Sequence, residues 1–156
     1  ILSDKQNELL RAENDTQKLA LKHVSKIIAT RNSEISEIIK ELEKYGIDSG
    51  SLSTELNSIK SKLLSMIEQN NSWNILESQF IRIYPNFYKT LSAKYPNLSP
   101  LETNLCLLLK LQIPLKEISN ILSINTRGIE NLRLGIKNKL NISVGESLVS
   151  MLENII

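Results

Sequence analysis

The chain has 156 residues, a formal net charge of +2, 41% hydrophobic residues and 23% charged ones, the ordinary make-up of a folded globular protein. No run approaches the roughly 18 consecutive apolar residues of a membrane helix, and so small a net charge does not by itself announce a nucleic-acid binder. A lone cysteine, Cys106, excludes an internal disulfide, and a lone histidine, His23, leaves neither a usual zinc set nor a Ser-His-Asp constellation.

There is no Gly-rich phosphate loop either. No catalytic residue, metal ligand or cofactor is therefore expected, and the protein is not expected to be an enzyme. Aromatic residues make up only 4%, and five Gly and four Pro leave few breakers among many Leu and Ile, a balance that favours helix. The chain opens on Ile1 without a basic-then-apolar leader, as expected of a piece of a longer protein.

No Gly or Pro occurs before Gly46, and Leu21, Val24, Ile28, Arg31, Ile35, Ile38, Leu42 and Tyr45 follow a 3-4 spacing. This predicts one long helix with a heptad seam broken only by Arg31. The same phase turns polar towards the start (Gln17, Asn14, Asn7), where a frayed or differently packed helix is expected, and Ile27 and Ile39 widen the stripe. Gly46 to Ser51 is the clearest break, with Ser51 or Ser53 as the next cap. Leu52, Leu56, Ile59, Leu63 and Met66 form a second seam. Two seamed helices joined by a short turn predict an antiparallel hairpin, or pairing with a second copy, and a homodimer is expected to cover part of both stripes.

Asn70-Asn71-Ser72 marks another interruption. Beyond it Trp73, Leu76, Phe80, Ile83 and Phe87 mark one face, and Pro85, tolerated only in a first turn, splits the run into a helix from about Trp73 to Tyr84 and another to about Lys94. Aromatics at helical spacing point to a core joining the hairpin to the tail rather than to a base-stacking platform.

Ser99-Pro100-Leu101-Glu102 combines a capping box with Pro in the first turn and starts a helix ending near Leu111. Pro114 opens a short helix facing inward through Ile118 and Leu122; after Ser123-Ile124-Asn125, with Asn125 as cap, Ile129, Leu132, Ile136 and Leu140 mark the inner side of another. A second box, Ser143-Val144-Gly145-Glu146, is expected to cap a last helix bearing Leu148, Val149 and Leu152. A helix of about eight residues, a tight turn and a longer helix is the helix-turn-helix plan. Between Ile124 and Leu140 the charges are Arg127, Arg133, Lys137 and Lys139 against Glu130. In that plan Thr126, Arg127, Glu130 and Asn131 lie nearest the base edges.

Residues 98–142 resemble the LuxR-type (GerE-like) DNA-binding domain. The matching stretches are Leu98 to Glu102, Lys116-Glu117-Ile118 through Ile124, and Ile129 through Leu140. Trp73, Phe80, Pro85, Phe87, Leu91, Tyr95 and Pro96, with Arg127 to Glu130 and Arg133, are similar to a Bacteroidetes-type subgroup in which a coiled coil precedes the domain. The resemblance implies that Glu130, Asn131 and Leu134 face the groove and that Arg127, Arg133, Lys137 and Lys139 meet backbone or base edges. Two cations of the subgroup's pattern are missing, at Gly135 and Asn138, and Gly inside a helix costs about 1 kcal/mol relative to Ala.

The expected architecture is thus all-α: a coiled-coil or hairpin dimerisation segment at 1–71, connecting helices at 72–97 and a four-helix LuxR-type helix-turn-helix domain at 98–156. The expected function is that of a cytoplasmic, dimeric, sequence-specific transcription regulator. It would be the output module of a larger sensor-regulator, with double-stranded DNA as partner and no membrane contact in this stretch; a membrane-anchored parent would hold it on the cytoplasmic side. The alternative is an interaction module whose helix-turn-helix does not bind DNA.

Overall fold

The computed structural model describes residues 2–45, 52–68 and 72–155. Within them the chain is all-helical: α1 (Leu2–Tyr45), α2 (Leu52–Glu68), α3 (Ser72–Ile83), α4 (Pro85–Lys94), α5 (Pro100–Lys110), α6 (Leu115–Leu122), α7 (Thr126–Lys139) and α8 (Leu148–Glu153). The breaks expected at Gly46–Ser51 and Asn70–Asn71 fall outside the described residues. No described helix is long and apolar enough to cross a membrane.

One apolar cluster runs through α3, α4, α5, α6, α7 and α8 and takes in Leu21 of α1. Phe80 and Phe87, each 1% exposed, meet edge to face at its centre, so the aromatics between Trp73 and Tyr95 are core material. The three expected segments share this core.

Lys110, to which the sequence drew no attention, ties the end of the chain to it. Its ammonium donates to the carbonyls of Leu152, Glu153 and Ile155 at 3.0, 2.9 and 2.9 Å and sits over the ring of Phe87. These carbonyls belong to the last turn of α8 and the residues after it, where helical partners run out. Cys106 is fully buried. Desolvation, with a smaller contribution from the Glu102 charge, pushes its thiol up to about 12, so it remains protonated and inert.

α1 is one helix from Leu2, and residues 3–13 are exposed. Further along, its docked face differs from the heptad seam by a small rotation. Leu21, Ile28 and Ile35 are buried as the spacing implies, whereas Val24, Arg31 and Ile38 are exposed. Ser25, Ala29, Asn32 and Ile39 are buried in their place.

The reason lies in what α1 meets. It packs against α3 and, most extensively, against α6 of its own chain. Two helices that approach closely favour small side chains at the crossing, and a short polar residue is tolerated where it finds a backbone partner. Asn32 finds one: its Nδ2 donates to the Asn120 carbonyl at 3.0 Å, in the last turn of α6. The Asn32 Oδ1 is buried without a partner.

α2 returns along α1, where Lys60 and Glu43 form an ion pair. That arrangement agrees with the expected hairpin. Yet no described side chain of α2 is buried, and Ile59, Leu64 and Met66 are exposed together with Val24, Ile27 and Ile38 of α1.

Candidate nucleic-acid interface

The segment from Leu115 to Lys139 is an eight-residue helix, a three-residue turn and a fourteen-residue helix. Local chemistry fixes each joint. Ser123 closes α6 in the left-handed region (φ 54°, ψ 38°), and the hydroxyl of Ser119 donates to the Ile124 carbonyl at 2.5 Å. Ser119 stands where the resembling family has Ala, and here its hydroxyl fastens the turn. Asn125 caps α7, its Oδ1 accepting from the Gly128 amide at 2.7 Å. A Cβ on Gly128 would lie 2.5 Å from Cγ2 of Ile124 and 3.3 Å from the capping Oδ1, so only glycine lets the turn pass this close to α7.

Ile129 and Ile136, both fully buried, hold α7 against the core. The opposite face projects outward and carries Thr126, Arg127, Glu130, Asn131, Leu134 and Asn138, all exposed, with Leu134 at 61%. The structure therefore brings five of the expected site residues together and adds Asn138, which in the sequence stands out only as a missing cation.

The remaining cations are engaged. Arg133 pairs with Glu130 at 3.0 Å on the rim of this face, a half-exposed pair of the kind worth about 0–1 kcal/mol. Lys137 donates to the Glu146 carbonyl at 2.6 Å. Lys139 points away from the outward face and holds the Glu102 carboxylate at 2.7 Å.

Glu102 is the buried acid of this region. It closes the capping box of α5: Ser99 N donates to its Oε2 at 2.7 Å, while its own amide donates to Ser99 Oγ. Burial alone would raise its pKa, but hydrogen bonds from Lys139 and Ser99 and the Lys139 charge outweigh that and hold it below the ordinary value. A Cβ at Gly135 would meet Glu102 Oε1 at 3.5 Å, an ordinary contact, so nothing at this position requires glycine.

The second expected capping box behaves differently. Ser143 N does donate to Glu146 Oε2 at 3.1 Å, but Gly145 has φ +100° and ends the turn there. α8 begins only at Leu148, and Ser147 caps it by accepting from the Ser150 amide.

The chain matches no family model, no curated protein and no solved structure. Among the described residues no group of three or more His, Cys, Asp or Glu is placed to hold a metal ion.

Proposed function

We propose that the protein is a sequence-specific DNA-binding regulator of LuxR type, acting as a dimer and serving as the output module of a larger sensor-regulator. The observation that carries this reading is the outward face of α7, free of other described elements, set on a short helix and a tight capped turn. A helix is the right width for the major groove, and its outward polar side chains match the donors and acceptors of base edges. Asn131 suits an adenine edge, Leu134 a thymine methyl, and Arg127, which has no ion pair among the described residues, a phosphate or guanine. The exposed apolar side chains of α1 and α2 are the surface a second copy would cover. Two copies would place two such faces on one operator, as half-site geometry requires.

A second reading has its own support: Arg133, Lys137 and Lys139 are all engaged within the chain. On that reading the unit is a scaffold, and the apolar face of α1 and α2 recruits a protein. Selection from a random duplex pool, followed by anisotropy on the recovered sequence, separates the two. The DNA-binding reading expects a symmetric consensus, and a loss of about 1–3 kcal/mol of discrimination at one base pair on Asn131→Ala. A pool that returns no consensus while the chain still dimerises would favour the scaffold.

A further inference from the structure

The docking of α1 on α6 divides the long helix into sides with different chemistry. At 3.6 residues per turn, Lys18, Lys22, Lys26, Lys40 and Lys44 fall in one sector about 80° wide, beside the docked face. Among residues 18–44 these are five of the six Lys and Arg, and none of the four acids lies in that sector, although Asp15, one turn earlier, lies in it beside Lys18. Glu34, Glu37 and Glu41 project outside it, and Glu43 pairs with Lys60. Lys26, Lys40 and Lys44 are exposed and Lys22 half-buried; Lys18 is within 3.7 Å of Asp15.

Two contacts locate this flank. Lys18 and Lys22 line a pocket with Asp15, Lys110, Leu111 and Gln112, at the turn that leads into α6. Asn32 reaches the Asn120 carbonyl near the end of α6. α1 therefore runs in the same direction as α6 along the roughly 12 Å of that eight-residue helix, and Lys22 and Lys26 fall within that stretch. In the helix-turn-helix plan the first helix is the one that crosses the phosphate backbone.

We infer that the lysine flank of α1 is a second phosphate-binding surface, so that duplex DNA is gripped by α1 as well as by α6 and α7. The inference rests on the DNA-binding reading and extends it to residues that the resemblance does not touch. It also answers the shortage of cations on α7. A duplex presents one negative charge per 1.7 Å of axis, and each phosphate neutralised contributes about 0.9 to the slope of log K against log salt. Three further lysines in register with the backbone would rival the contribution of α7.

The test is a salt titration of the full chain on its selected operator and on random duplex, with Lys22→Gln, Lys26→Gln and Lys40→Gln combined. The expected result is a slope lower by about 2–3 on both duplexes, with the ratio between them preserved. A control removing three charges elsewhere, Lys5→Gln, Lys62→Gln and Lys89→Gln, should lower it by less than about 1. Lysine acetylation of the unaltered chain supplies a readout without substitution: Lys22, Lys26 and Lys40 become protected when duplex is added. An unchanged slope, an equal fall in the control, or no protection overturns the inference while leaving operator binding intact. A wild-type chain that binds no duplex at any salt overturns both readings.

Discussion

The cluster that holds Phe80 includes Leu76, Phe87, Leu91, Leu105 and Leu108, none of these more than 1% exposed. Along α1 beyond Leu21 the buried positions are Ile28, Ile35 and Ile39 interleaved with Ser25, Ala29 and Asn32, and all of these lie outside that cluster. The first region buries large side chains that bring no polar group with them. The second brings helices together over small side chains, and one buried amide oxygen there has no partner. An incompletely satisfied polar contact gains less than apolar packing of the same size. The difference teaches that helices α3 to α8 hold themselves together, while the dock of α1 on α6 is the contact of lower stability.

The largest expected effect probes the core. Phe80→Ala should cost about 3–5 kcal/mol, read from the urea midpoint of the whole chain; a loss under 1 kcal/mol would erase the contrast. Next comes Glu102, whose carboxylate is tied to Lys139 and Ser99. Because its folded pKa lies below the unfolded value, the stability it contributes is complete above the ordinary pKa of 4.5 and is lost as pH falls through the lowered one. Glu102→Gln should therefore cost about 1.5 kcal/mol at neutral pH and nothing at strongly acid pH, measured by unfolding across a pH series. A difference that grows on acidification would reverse the assignment.

On the other side of the comparison, Asn32→Ala removes the partner of the Asn120 carbonyl and with it the orphaned Oδ1. A loss of about 1 kcal/mol is expected, confined to amide exchange in α1 and α6. Equal loosening in α5 would mean that core and dock open as one. The smallest effect has the opposite sign. Gly135→Ala makes only an ordinary contact with Glu102 Oε1 and should raise the thermal midpoint through a gain of up to about 1 kcal/mol.

Local signals in the sequence translated well. Ser99 with Glu102 and Asn125 with Gly128 mark helix starts because capping is settled within four residues. The split at Pro85 and the helix bounds around it follow from the ring's missing donor. Tertiary choices were less legible. Hydrophobic spacing on α1 indicates an apolar stripe, but it cannot reveal that a polar Asn32 and a small Ala29 lie inward, since that depends on how closely α6 approaches. Lys139 reads as one more cation of α7 until Glu102, 37 residues earlier, is found beside it. Ser143 and Glu146 show the limit of a motif, because the same backbone-to-carboxylate bond closes a turn as readily as it opens a helix.

The buried thiol of Cys106 gives this architecture an internal clock. Held protonated by a pKa of about 12 and shielded on α5 in the middle of the core, it can meet a maleimide only when that core opens. Its labelling rate is then the intrinsic thiol rate multiplied by the fraction of time α5 stands open. Release of α1 alone would leave the rate unchanged, whereas Phe80→Ala would quicken it. Rapid labelling of the unaltered chain would mean that the core around α5 is not closed.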